Sequence, residues 1–224
     1  MTPFLEVTLI SLGLSLLITL IYRFLTNPDE MRKIKDDMKF YKEKMNQAKK
    51  SGDTAKMNEY ASEMMKMSQK QFQYSMKPMI ATMLVFFLLL GWLNTSFGGA
   101  VVDFSKNETV FTYDGVQHQA SYEKSPDGFI TAVDLDNDGS FSDSEKFSKG
   151  DVFEYRDAYW RPVAKTDGFL FFTHEVEDVV HFEMLVAKMP FELPFLGSYL
   201  SWFWWYIFIS FPATFILRKL FGVE

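Results

Sequence analysis

Three stretches of the chain are apolar over nearly the length a helix needs to cross a bilayer: residues 4–25, 79–92 running on to about 99, and 193–217. About 20 residues span the ~30 Å hydrocarbon layer, so the pattern predicts three transmembrane helices. The first is not uniformly apolar. Thr8, Ser11, Ser15, Thr19 and Tyr22 follow one another at spacings of 3, 4, 4 and 3, which puts all five on one helical face. Arg23 ends that stripe. The third stretch carries Ser198, Ser201, Ser210, Thr214 and Arg218, the last three on one face, and Lys77 and Thr82 belong to the second. A hydroxyl in a span can bond the carbonyl one turn back or join neighbouring helices. Polar faces on all three spans also fit a hydrated groove open to the cytosol.

Between the first two spans the period changes to a heptad. Met31, Ile34, Met38, Tyr41, Met45 and Ala48 alternate by 3 and 4, and the pattern restarts at Met57, Tyr60, Met64, Met67, Gln71 and Tyr74. "NPDE" at 27–30 offers an N-cap followed by proline, Gly52 breaks the pattern, and Asp53 can cap the second arm. The expectation is an antiparallel helical hairpin with a methionine-rich seam and many lysines on its outer faces. Lys39, Lys42, Lys49 and Lys50 are candidate partner-binding residues, for the ribosome or a targeting factor, and the hairpin lysines as a group could instead meet ribosomal RNA or anionic lipid. Solvated lysines on an exposed face are the plainer reading.

Residues 100–190 alternate β-rich runs ("TVFTY", "VQHQASY", "GFITAVD", "GFLFFTH") with turn signals ("YDG", "SPDG", "DNDG"). A small, mostly β domain is expected, either a sandwich or a partial barrel. The fold class is therefore an α-helical membrane protein: three transmembrane helices, a cytosolic antiparallel helical hairpin, and an inserted small, mostly β external domain. The expected division is 1–27, 28–76, 77–99, 100–190 and 191–224.

Charge orients this layout. Residues 23–77 hold 13 Lys/Arg against 8 Asp/Glu, whereas 96–200 hold 8 against 19. The positive-inside rule then puts the hairpin and the C-terminus in the cytosol and residues 96–200 outside, in a multi-pass plasma-membrane protein with an external N-terminus. The first apolar stretch has no basic residue before it and no small-residue cleavage pattern after it, so it reads as a span rather than a cleaved signal. Cysteine is absent, which excludes disulfides and thiolate metal sites.

One motif inside the β region carries its own chemistry. "DLDNDGSFSDSE" (134–145) sets Asp134, Asp136 and Asp138 at positions 1, 3 and 5 of a calcium loop. Gly139 falls at the turn, Ser140 at 7, Ser142 at 9 and Glu145 at 12. Calcium takes six to eight oxygens, and this order supplies them; an acidic surface turn is the alternative. The strand-like "GFITAV" before the loop points to a structural Ca2+ site rather than a sensor. Enzyme signals are weak: there is no phosphate loop or dinucleotide fingerprint, and His174 and His181 lack zinc-protease spacing. In strand-like sequence those two histidines are expected to be surface or packing residues. The reading is of a protein that is not an enzyme and has no DNA partner.

The first span ending "IYRF", the lysine-rich hairpin, "KPM" opening the second span and "WFWWYIFIS…RKLFG" in the third together resemble the YidC/Oxa membrane protein insertases. The resemblance is closest to the short archaeal three-span members related to the third subunit of the ER membrane complex, and covers roughly 1–99 and 190–222. It implies that nascent transmembrane segments are received and eased into the bilayer without ATP; on the polar faces read above, the groove they pass is expected to be lined by Thr8, Ser11, Ser15, Thr19, Tyr22, Arg23, Thr82, Ser210 and Thr214. It also implies possible membrane partner subunits. Bacterial members carry an arginine midway along a groove helix; here Arg23 lies at the cytosolic end. A calcium-stabilised receptor or scaffold with the hairpin as its interaction module is the competing function. A calcium-handling channel subunit is disfavoured, because residues 7–25, 79–99 and 195–217 contain no acid.

Overall fold

The computed structural model describes residues 1–106, 109–169 and 172–222. The chain forms two compact units: residues 1–11 with 90–209, and residues 12–89 with 210–224.

In the second unit the hairpin forms as the heptad dictates. Helix α2 (Pro28–Ser51) is capped by the Asn27 side chain, which accepts the amides of Asp29 and Glu30. It stops at Gly52, whose left-handed φ of 72° lets its amide return to the last turn. Asp53 then caps helix α3 (Thr54–Phe97) by accepting the Lys56 amide at 3.0 Å. All twelve seam positions are buried or half-buried, and the Tyr41 and Tyr60 rings face each other at 6.4 Å.

The second arm of the hairpin and the second apolar stretch, divided at 76/77 in the expected layout, belong to one helix: α3 runs unbroken for 44 residues, about 66 Å. Pro78 lies within it, where it removes one ladder bond to Tyr74 without ending the helix.

In the first unit, β1 (Ala100–Asp103), β6 (Phe153–Tyr155), β7 (Ala158–Phe169), β8 (Phe172–Leu193) and β9 (Gly197–Ser201) form one antiparallel sheet. Strands β2 (Val110–Tyr113), β3 (Val116–Ser125), β4 (Gly128–Val133) and β5 (Lys146–Ser148) form another. Asp114 and Gly115 both take positive φ in the tight β2–β3 turn, as the Asp-Gly signal requires. The sheets meet through aromatic rings: Phe111 of β2 sits edge-on to Trp160 of β7 and Phe182 of β8, each at 5.0 Å. Phe147 stacks on Phe153 at 3.9 Å. A two-sheet sandwich is thus built, the choice left open by the strand pattern. "GFLFFTH" is not one strand: β7 ends at Phe169 and β8 starts at Phe172, with register pairs Gly168–Thr173 and Phe169–Phe172. Residues 170 and 171 of that run lie outside the described residues.

Strand β8 explains how such a domain can sit between two helices. Its Phe182 pairs with Ala100, just after α3, and its Leu185 pairs with Ser201, just before helix α4 (Trp202–Leu220). Leu185 also pairs with Tyr159 of β7, so β9 and β1 follow one another along the opposite edge. Three residues of strand separate the two junctions, about 10 Å, which is the spacing of two packed helices. At the α3 junction Gly99 has a φ of 102°, and a Cβ there would collide with the Phe182 carbonyl. His181, one of the two histidines weighed as ligands, bonds the Gly98 carbonyl at 2.8 Å; His174 is exposed.

The third apolar stretch is corrected at its start. Residues 193–201 end β8, turn at Gly197 and form β9, so the helix begins at Trp202 rather than 193. Apolar composition cannot separate a buried strand from a span, and only the pairing with β8 decides it. α1 (Pro3–Leu25) and α3 are each long and apolar enough to cross a membrane. α4 has 19 residues and ends on Arg218 and Lys219. Large apolar side chains stand exposed along these helices, among them Leu9, Leu84, Leu88 and Phe211. A surface of this kind is covered by lipid, and the protein is an integral membrane protein.

Candidate functional site

The hydroxyl stripe is the protected face of α1. Ser11, Ser15 and Thr19 are 0%, 2% and 0% exposed, whereas Leu9 and Leu16, one residue round from stripe positions, are 55% and 40% exposed. Thr8, Ser11 and Thr19 donate to the carbonyls of Phe4, Val7 and Ser15, one turn back, at 2.6–2.7 Å. Each such carbonyl also serves the helix ladder, so the hydroxyls are satisfied without breaking the backbone. Ser11, Ser15 and Thr19 are thus covered by protein in this conformation.

Two partners from α4 come to the ends of the stripe. In the first unit Trp205 donates its indole N–H to Thr8 Oγ1 at 2.8 Å, and its ring lies 5.0 Å from Phe4. In the second unit the Arg218 guanidinium lies over the Tyr22 ring at 4.8 Å. Arg23 is exposed instead. The cation that meets the stripe is thus Arg218. Sequence reasoning gave neither contact; the aromatic run "WFWW" was a signal for the first. Ser210 and Thr214 are half-buried on α4, and Thr82, also half-buried, donates to the Met79 carbonyl at 3.0 Å.

Lys39, Lys42, Lys49 and Lys50 are all exposed on the hairpin, away from the seam. They form a solvated basic face.

The 134–145 loop leaves β4 and ends in a single helical turn, Asp143–Glu145. One carboxylate oxygen from each of Asp134, Asp136 and Asp138 falls within 4.8 Å of the others. Asp134 is buried and accepts the amides of Asp138 and Gly139, both at 3.0 Å. Gly139 takes a φ of 83° at the turn position. The Asp138 amide acts to lower the Asp136 pKa, but desolvation and the charges of Asp138 and Glu145 outweigh it and raise the carboxyl. Ser140 donates through its hydroxyl and its amide to Asp138 and lowers that carboxyl. Glu145 stands outside the three-aspartate cluster. It is buried and accepts the Leu135 amide at 2.8 Å, with the Ser142 amide and hydroxyl at 2.9 and 2.8 Å. The donors present are all oxygens with three carboxylates converging, which suits a hard cation; a calcium ligand role for Glu145 requires it to exchange these amides for the ion.

Beneath the loop lies a residue the sequence did not single out. His118 of β3 is buried; its Nδ1 bonds the Asp134 carbonyl at 2.9 Å and its Nε2 bonds the Tyr155 hydroxyl at 2.8 Å.

Comparison with known proteins bears on the helical half. No characterised protein and no solved structure matches the chain significantly. A family model does match, over residues 1–115, from α1 through α2 and α3 to the first β-hairpin. On that match the chain belongs to the family of integral membrane proteins described as EMC3/TMCO1-like.

Proposed function

We propose that this protein is a membrane protein insertase, which receives nascent transmembrane segments and eases them into the bilayer without ATP. Family membership supports insertion-related work. The observation that carries the finer reading is the continuous hydroxyl row on the protected face of α1, in a helix otherwise free of polar side chains between Val7 and Ile21. A polar group crossing hydrocarbon unpaired costs several kcal/mol. The row lowers that cost when the bundle parts. Each hydroxyl turns from the carbonyl behind it to the client or to water, and the helix ladder stays whole because that carbonyl keeps its amide. The client's apolar side chains then partition into lipid, which drives the step.

In this reading α4 is the third span, the N-terminus lies outside, and the basic hairpin and C-terminus lie in the cytosol of a plasma-membrane protein. Ribosomes and partner subunits meet the hairpin. The sheet domain stands outside, with Ca2+ on Asp134, Asp136, Asp138, Ser140, Ser142 and Glu145 as a structural ion.

Photo-crosslinkers at Ser11, Ser15 or Ser210 are expected to capture a ribosome-bound transmembrane segment, and those at Leu9, Leu16 or Leu20 to contact lipid. Replacing the stripe with leucine should leave a folded protein that inserts clients slowly. Normal insertion by that variant would return the stripe to helix packing. The protein would then fit a calcium-stabilised scaffold, a role favoured by the burial of Ser11, Ser15 and Thr19.

A further inference from the structure

At the base of the hairpin a cavity of about 480 Å3 opens between α2 and α3. Ile34 is its buried wall, and Lys33, Lys70 and Lys77 stand around it, all exposed. Among the described residues none of these lysines is in an ion pair. The acid lining the cavity, Glu30, lies beside Tyr74 and raises its pKa. The cavity therefore sets three lysines against one carboxylate.

Its level along α3 says what meets it. The apolar run starts at Met79, so at 1.5 Å per residue Lys77 lies about 3 Å from the hydrocarbon edge and Lys70 about 14 Å. The headgroup layer occupies roughly the first 5–8 Å beyond that edge. The Glu30–Tyr74 contact sets the register of the two arms, which places Lys33 close to the level of Lys70. Helical side chains lean toward their own N-terminus, so on these antiparallel arms Lys77 leans out of the membrane and Lys33 leans toward it. The ammonium groups of Lys33 and Lys77 therefore approach the phosphate layer from its two sides, while Lys70, on the same helix as Lys77, leans away from the membrane and adds positive charge from further out.

We propose that this cavity binds the phosphate headgroup of an anionic membrane lipid through Lys33 and Lys77, with Lys70 adding positive charge above them. The assignment rests on the reading that α3 crosses the bilayer from about Met79 onward. A lipid held here fixes the hairpin base at the membrane surface, below the groove residues.

The test is native mass spectrometry of the full chain in detergent, titrated with phosphatidylglycerol or phosphatidylcholine. The wild type should retain phosphatidylglycerol preferentially. Lys33→Gln/Lys70→Gln/Lys77→Gln should lose that preference, at about fivefold per lysine. The same change at Lys39, Lys42 and Lys49 should leave it intact. Tyr74→Phe takes away the hydroxyl beside Glu30 and leaves that carboxylate to the lysines; it should weaken retention with no change in net charge, and carries the test if the triple variant misfolds. Equal retention by both triple variants overturns the proposal. Inorganic phosphate binding as tightly as phosphatidylglycerol makes this a free-phosphate site and overturns the lipid assignment. Client crosslinking at Ser11 and Ser210, measured on the same variants, reports the insertase reading separately.

Discussion

Trp205 and Thr8 are joined by a 2.8 Å hydrogen bond from the indole N–H to a hydroxyl that itself donates to Phe4. The contact uses both hydrogen-bonding capacities of Thr8 and ties the start of α4 to the start of α1. Buried polar pairs between membrane helices are worth about 0.6 kcal/mol on average. A double-mutant cycle of Thr8→Val and Trp205→Phe, read by reversible unfolding in detergent, should give a coupling of about that size. Strict additivity would show that the bond contributes nothing beyond packing.

The opposed charges of the two polar segments imply an orientation that proteolysis can check. Protease outside intact cells should cut within 100–190 and spare 28–76. Cleavage in the hairpin under those conditions would reverse the topology.

Calcium should raise the melting temperature of the sheet domain in the full chain. Glu145→Gln should weaken the effect most, because it removes the ligand able to bind through two oxygens. His118→Phe should also lower stability, by about 1–3 kcal/mol, since it leaves the Asp134 carbonyl unpaired in the interior and takes the partner from the half-buried Tyr155 hydroxyl. A melting temperature indifferent to calcium would leave the loop as an acidic turn.

Acid should act on the same loop through Glu145. Burial raises its pKa, but the Ser142 amide and hydroxyl, with the amides of Leu135 and Asp136, outweigh burial and hold it below the ordinary glutamate value. The unfolded chain therefore takes up this proton at higher pH than the folded one. The stabilisation is complete above the ordinary glutamate value and disappears as pH falls through the lower folded one. Calcium-free melting curves of wild type and Glu145→Gln should converge as pH falls through that window. Parallel curves would show that the carboxylate adds no pH-linked stability.

The hairpin's basic face invites a charge test. Glutamate at Lys39, Lys42, Lys49 and Lys50 should reduce ribosome co-sedimentation, and the remaining binding should weaken further with salt. Unchanged sedimentation would leave these lysines as a solvated face.

Local patterns in the chain determined a good deal by themselves. A run of apolar residues marks α1 wherever it packs. A 3–4 alternation forces the hairpin seam, and Gly52 and Asp53 act within one turn of themselves. Turn dipeptides and the spacing of the three aspartates likewise need only neighbours a few residues away. The tertiary structure decided what depends on distant partners. It turned the apolar residues 193–201 into strand because Leu185 and Ala187 were there to pair with Leu200 and Ser201. It placed Ala100 and Ser201 three residues apart on β8, closing the inserted domain onto neighbouring helix ends. It brought Arg218 rather than Arg23 to Tyr22, and His118 beneath Asp134. Periodicity identifies the polar face of α1, but burial of that face depends on atoms far away in the chain. The stripe was therefore legible in the sequence, and its burial in this conformation was not.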